Sequence, residues 1–344
     1  MDNVDFYTKA KHEAHKAIKV YKEILNNISK INLKVNPLPQ KFKESKIAAL
    51  DGSEGFANLF GSSIIISRAA GAIFEKGRKI EPIEIMDYFI TALARDINRF
   101  SNLCRDIQEF KIAHELIKKN PEILVLDGSL IGYFKRGVPM SILHSLNEKN
   151  VPHLPIKEYI EKYTEYMKLL DGLLRKCREK NILLIGVSKD SRVKYLVNHF
   201  KIKNIITDYS LLKYKMQNTT GYIGPIEPDN TPLKPVAKFL ENNKICEADL
   251  TDFKLIYVKL EKFSDPIRVD FTSWQESRLD EIISFLETYH DGNGFILTAH
   301  LVHNWAVLKD AIKINIIDMI KKEILESDVD IYNSIFTPQR RDSI

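Results

Sequence analysis

Two aspartates follow short apolar runs in the same four-residue context. Leu50-Asp51-Gly52-Ser53 comes after residues 47–50, and Leu126-Asp127-Gly128-Ser129 comes after residues 123–126. Each copy puts a carboxylate where a strand meets solvent, and the glycine behind it lets the backbone turn sharply or pass close to a ligand. If the two strands are parallel neighbours, both carboxylates reach the carboxyl edge of one sheet, where open α/β sheets take their ligands. Two like charges held together are costly unless a cation neutralises them. Hard divalent ions such as Mg²⁺ or Mn²⁺ prefer such oxygen donors. The competing reading is two ordinary strand-to-turn corners, because Asp and Gly favour turns by themselves.

Other residues with usable chemistry lie around this pair. A long helical pattern ahead of Asp127 carries Asp106, Glu109 and Glu115. Glu109, 18 positions before Asp127, is placed to return a third acid towards the sheet, although a charge on a helix is otherwise a solvated face. Lys189 ends the next strand beside Asp190 and Ser191, where its ammonium could hold a phosphate or a water, or simply face solvent. Basic residues with interleaved aromatics form a candidate nucleic-acid track: Tyr133, Phe134, Lys135 and Arg136, then Arg192 and Lys194, then Lys213, Tyr214 and Lys215. Lysine and arginine would neutralise phosphates and the rings would stack on unpaired bases. Plain solubilising surface is the alternative. No GxxxxGK[ST] or GxSxG motif occurs, which argues against a P-loop ATPase and a hydrolase nucleophile elbow.

The elements that must position these groups read as follows. Residues 4–31 have helical apolar spacing (Ala10, Ala14, Ala17, Tyr21, Ile24, Leu25, Ile28) and lead into a Lys- and Pro-containing linker, NPLPQKFKESK. That helix packs on its own domain or on a partner subunit. The core then alternates: strand 47–50, β-rich stretches 63–67 and 70–74, one long helix over 84–118, strand 123–126, helix 157–180 and strand 182–187. The Gly- and Pro-punctuated stretch 205–250 reads as an irregular insertion. Strands 255–260 and 267–271, a helix near 275–289 and a helix starting near Leu297, carrying His300, close the chain. Short apolar runs separated by helices imply buried parallel strands after an antiparallel opening. The expected fold is α/β: an RNase H-like mixed β-sheet flanked by helices, with an N-terminal helix and an irregular insertion. A doubly wound sheet competes with it.

The chain has 344 residues, 44% of them hydrophobic, enough for one large domain with additions. A formal net charge of +5 permits a nucleic-acid partner without requiring one. Cys104, Cys177 and Cys246 are scattered, which argues against a disulfide framework or a structural zinc site and fits a reducing cytoplasm. The N-terminus is polar, unlike a signal peptide. No apolar run approaches the ~20 residues of a membrane span, so a soluble protein is expected.

Taken in order, LDGS, ILVLDGSLIG, IGVSKDSR, IYVKL with PIRVDF, and the late AH pair resemble the NurA nucleases over roughly residues 45–310. The resemblance implies a manganese-dependent nuclease acting on single- and double-stranded DNA, with Mg²⁺ as a possible substitute. It further implies a homodimer that works with HerA, a hexameric DNA-translocating ATPase, in resecting broken DNA ends. Carried onto this chain, it makes Asp51 and Asp127 the strand-borne metal acids, Glu109 the helix acid, His300 the late-helix histidine and Lys189 the basic residue after the middle strand. On this reading Asp51, Glu109, Asp127 and His300 surround the metal, and residues 1–44 precede a nuclease domain at 45–344. One departure stands out: the family's functional Tyr falls on Gly292, with Tyr289 nearby. His303, one turn after His300, could share its surroundings, although an exposed histidine without a role is the favoured reading. Two other classes stay open, a different metal-dependent phosphoesterase and a non-catalytic DNA-end or ATPase-binding subunit.

Overall fold

The computed structural model describes residues 3–39, 44–76, 80–92, 96–136, 154–189, 192–202, 206–228 and 252–337, with positions 78, 241 and 244. After helix α1 (Asn3–Ser29), strands β1 (Ile47–Asn58), β2 (Ser63–Phe74) and β3 (Ile83–Thr91) form an antiparallel meander. Helix α2 (Ile97–Ile117) leads back to β4 (Ile123–Asp127), which lies parallel to β1. Helices α3 (Leu130–Lys135) and α4 (Leu154–Glu179) precede β5 (Leu183–Ser188), parallel to β4. Helices α5 (Tyr195–His199) and α6 (Asp208–Lys215) are followed by β6 (Gly221–Ile226), β7 (Phe253–Lys259) and β8 (Ile267–Thr272), all antiparallel to their neighbours. Among the described residues these strands form one eight-stranded sheet, in the order β3-β2-β1-β4-β5-β8-β7-β6. An antiparallel meander joined to two parallel strands through helical crossovers is the RNase H-like arrangement.

The central strands read as unbroken apolar runs because helices cover both of their faces. Ala48, Leu50, Leu124 and Leu126 point into a core shared with α2 and α4. Ile47, Ala49, Ile123 and Val125 point the other way, against α7 (Leu279–Thr288) and α8 (Leu297–Ala306). A smaller cluster seats α9 (Asp310–Ser327) on Ile64 and Ile66 of β2. Two adjacent strands buried on both sides cannot slip in register without moving apolar groups off their faces, which holds the ends of β1 and β4 side by side.

The single helix expected over 84–118 is two elements, β3 and α2. Ile85 and Phe89 satisfy both periods, being spaced by four. In β3 they face the core with Ile83 while Met86, Tyr88 and Ile90 stay exposed, and β-branched and aromatic residues suit the pairing with β2. The two β-rich stretches 63–67 and 70–74 are one continuous strand. Where it is described, the stretch from 205 is regular: α6 is capped by Thr207, and β6 forms the edge of the sheet. Most of the remainder, 229–251, lies outside the described residues. The end of α1 is tied down, with Ile24 and Ile28 buried in the main core, and Asn36 pairs with Tyr222 of β6. Among the described residues no helix is long and apolar enough to cross a membrane.

Candidate metal centre

The parallel pairing of β1 with β4 runs through Leu50 and Leu126, so the next residue on each strand is an aspartate. β4 stops at Asp127. β1 does not stop at Asp51, contrary to the expectation that both motifs end their strands; it continues to Asn58 along β2, with Asp51 opposite Ala70. Asp51 therefore stands where β1 parts from β4, and the two carboxylates meet across that fork. Helix α8 packs across β1 and β2 and adds a third ligand. Oxygen atoms of Asp51 and Asp127 and a ring nitrogen of His303 all lie within 4.8 Å of one another.

Within this group His303 Nδ1 is 2.6 Å from Asp51 Oδ2, and the Gly52 N–H donates to Asp51 Oδ1 at 2.8 Å. The Ser53 hydroxyl donates to the Ala306 carbonyl, tying α8 to β1 just beyond the aspartate. Burial and the nearby Asp127 charge raise the Asp51 carboxyl above its ordinary range, against the lowering effect of its hydrogen bonds. Lys189 Nζ lies 3.0 Å from Asp127 Oδ2. Its ammonium also sits 5.4 Å from the ring centre of Phe295.

Glu109 reaches the same corner from α2. A side chain at position 52 would collide with it: a Cβ there would lie 2.6 Å from Glu109 Oε1 and 2.8 Å from Arg105 Cγ. Glycine at 52 is thus what lets the helix acid come up against β1. Glu109 is buried, accepts a 2.6 Å hydrogen bond from Tyr133 and lies 3.2 Å from Arg105 Nε. Burial, with the charges of Asp106 and Asp51, outweighs Arg105 and pushes its pKa up to about 8. Glu109 stands behind Asp51 rather than among the three converging ligands. Of the alternative helix acids, Asp106 is neutralised by Arg105 and Arg136, and Glu115 pairs with Lys118 at the surface.

His300 does not join the group. Ala299, Val302 and Ala306 are the buried stripe of α8. At roughly 100° per residue, position 303 flanks that stripe while position 300 turns further towards solvent. His303, for which the sequence favoured no role over a share in the surroundings of His300, is the histidine brought to Asp51. Tyr289 does not come to the centre either, because its hydroxyl engages the backbone of Ser45 ahead of β1.

The expected DNA track needs correction at several positions. Tyr133 and Phe134 are buried, the first bonded to Glu109 and the second packed on Phe253, so neither offers a ring to a base. They point inward because α3 is short and lies on the sheet. Arg136 neutralises buried Asp106 at 2.8 Å. Lys213 pairs with Asp265, Lys215 donates to the Ser29 carbonyl, and Tyr214 packs partly buried against the main core. Lys135 and Arg192 remain at the surface, Lys135 with its ammonium 5.1 Å from the Tyr195 ring centre. Asp190 and Ser191 lie outside the described residues.

One buried pair passed unnoticed in the sequence. Arg268 and Asp270 on β8 are bonded at 2.9 Å. Asp270 Oδ2 accepts from Ser129 at 2.5 Å and from the Ile131 N–H at 3.4 Å, while Arg268 donates to Ser188 at 3.3 Å. The pair bolts the turn after Asp127 to the end of β5 that presents Lys189. Its sequence signal was two opposite charges two residues apart, alternating with the apolar Ile267, Val269 and Phe271.

Two buried or half-buried carboxylates and an imidazole suit a hard to intermediate divalent ion, Mn²⁺ or Mg²⁺. Burial and the Asp127 charge both disfavour the ionised Asp51 carboxylate, and a cation between the ligands would offset both.

Comparison with known proteins adds the following. The family model described as the NurA domain matches residues 45–308. No curated protein sequence matches. The NurA nuclease from Sulfolobus solfataricus superposes with a TM-score of 0.67 at 14% identity, covering 95% of this chain and 99% of that one. A NurA structure with manganese gives 0.61 at 14%, covering 91% and 97%. A NurA bound to dAMP and manganese gives 0.54 at 15%, covering 90% and 94%. These likenesses establish the shared fold.

Proposed function

Because the chain belongs to the NurA family, we propose that it is a divalent-metal-dependent deoxyribonuclease that trims DNA ends and cuts single strands during double-strand-break repair. The observation that carries this reading is the convergence of Asp51, Asp127 and His303 from β1, β4 and α8 within 4.8 Å. Solved relatives bound to manganese and to dAMP support Mn²⁺ as the ion and a deoxynucleotide as the occupant.

In this proposal Asp51, Asp127 and His303 hold the ion, and Glu109 backs Asp51 from α2. A bound divalent ion supplies Lewis-acid polarisation of a phosphodiester and lowers the pKa of a water. The chain's own residues do the rest. Lys189 turns its ammonium from Asp127 towards a phosphate oxygen as negative charge builds there. Arg105 and Tyr133 hold Glu109 in one orientation. The Arg268–Asp270 pair keeps the Asp127 and Lys189 corners in register.

The finer reading includes a homodimer and a HerA-type translocating ATPase as partners in end resection. It is supported by α1, whose exposed Tyr7, Ala10, Ala14, Ala17 and Tyr21 continue the stripe that ends in buried Ile24 and Ile28. Apolar positions spaced alternately by three and four suit a helical partner.

Cleavage of end-labelled single- and double-stranded DNA in Mn²⁺, Mg²⁺ and EDTA tests the proposal. Metal-dependent shortening of the label is expected. DNA left intact in every metal, or cut equally in EDTA, overturns it.

A further inference from the structure

Phe295 is 39% exposed on the loop between α7 and α8, yet the loop holds it in place. Asp291 Oδ1 accepts from the Asn293 N–H at 2.8 Å and the Phe295 N–H at 3.1 Å. The Asp291 N–H donates back to the Phe295 carbonyl at 2.8 Å, and His290 bridges to Ile296. Gly294, at φ 91°, presses on Ser264, where a Cβ would come within 2.7 Å of the Ser264 Cβ. The ring is partly buried by the ordered loop and keeps the rest of its surface in solvent, a face that a ligand can cover. Lys189 lies beside it, its ammonium facing both the ring and Asp127.

From this geometry we infer that Phe295 is a specificity-determining residue that stacks on an unpaired nucleobase of the nucleotide whose phosphate meets Lys189. The inference rests on the nuclease reading and names its substrate class, DNA with unpaired bases at the cut. Phosphate and base of one nucleotide lie only a few ångströms apart, the relation that Lys189 and the Phe295 ring present together. A base still paired in a duplex cannot offer its face to the ring without unstacking, a cost that a frayed or single-stranded end avoids. The ring therefore favours unpaired ends. Every base has a π face, so the preference is for strandedness and not for sequence.

The experiment compares wild type, F295A and F295W on a single-stranded oligonucleotide, the same strand with one abasic residue moved along it, and a blunt duplex. One stacked base corresponds to roughly a 5- to 150-fold change in KM. F295A should raise KM for the intact single strand by about that factor with kcat little changed, and F295W should restore it. On wild type, an abasic residue at one position should cost the same factor; F295A should add nothing further on that substrate. The preference for single strand over duplex should shrink in F295A. An unaltered KM in F295A, or losses from F295A and the abasic residue that simply multiply, overturns the inference. Binding of the same oligonucleotides by fluorescence anisotropy, with Ca²⁺ in place of Mn²⁺, runs beside the kinetics. If the wild type cleaves nothing the nuclease reading fails, while the binding differences still decide on stacking.

Discussion

His303 Nδ1 lies 2.6 Å from Asp51 Oδ2, joining α8 to β1 at the point where Asp127 arrives on β4. Through this contact a histidine from the last third of the chain completes a centre whose acids sit on the central strands. It also orients the ring, since an imidazole bonded through one nitrogen has its tautomer and plane set. The centre depends on how α8 is seated, and α8 is held there by Ala299, Val302 and Ala306 against β1 and β2.

The two histidines of α8 should behave differently. H303Q should lower Mn²⁺ affinity and Mn²⁺-dependent cleavage by about 10- to 100-fold or more, the range seen even when groups outside the immediate ligand set are lost. H300Q should leave both within about twofold. Mn²⁺ titration calorimetry beside a cleavage assay reads this out, and equal losses in the two variants would remove His303 from the centre.

Replacing either strand aspartate should remove metal binding without unfolding the protein. D51N and D127N keep shape and volume; the first removes a carboxylate that burial disfavours, and either relieves the repulsion between the two acids. Cleavage should fall by about 100-fold or more, while the melting temperature of the metal-free variants stays equal to or above that of wild type. Full cleavage in either variant would contradict the assignment.

Two glycines near the centre should respond to alanine in different ways. At Gly52 the added carbon meets the movable ends of Glu109 and Arg105. G52A should therefore cost a modest ~1–3 kcal/mol of stability but displace the helix acid and depress cleavage. At Gly186 the carbon would meet backbone, 2.6 Å from the Gly128 carbonyl oxygen and 2.8 Å from the Leu130 N–H nitrogen. G186A should be the more destabilising of the two by chemical denaturation.

The stability of the metal-free protein should fall as pH rises. Glu109 is lifted from 4.5 to about 8 by burial, so the folded chain holds a proton there that the unfolded chain has lost. Between those values folding takes up a proton, and each rise in pH weakens it. E109Q should flatten the dependence between pH 5 and 8. A wild-type melting temperature that climbs across that window would show the Glu109 carboxyl to be ionised in the fold.

The Arg268–Asp270 pair should matter more as a pair than as two charges. D270N leaves the Arg268 guanidinium buried with its main counter-charge gone, a loss of about 3–5 kcal/mol. The double change R268M/D270L should recover most of that stability while loosening the Ser129 and Ser188 ties, so cleavage should stay reduced after folding is restored. Urea melts and kcat on the same preparations separate the two effects.

Much of this arrangement was legible in the residues alone. Two continuous apolar runs have to be buried on both faces, so they become neighbouring central strands, and the identical LDGS context puts Asp51 and Asp127 at matching positions. Lys189 followed from the end of the next such run. Periodicity along one element tells which of its faces is buried; it does not tell how far that element is rolled against another. That rotation, set by side-chain packing between α8 and the β1–β2 surface, put His303 at the centre instead of His300. The same limit hid the fate of Tyr133 and Phe134, which the seating of α3 on the sheet turned into core. It also hid β3, whose four-residue spacing of Ile85 and Phe89 fits helix and strand alike until an edge of β2 is there to pair with. Chain order determined which acids could meet, and the packing of helices on the sheet decided which other side chains reached them.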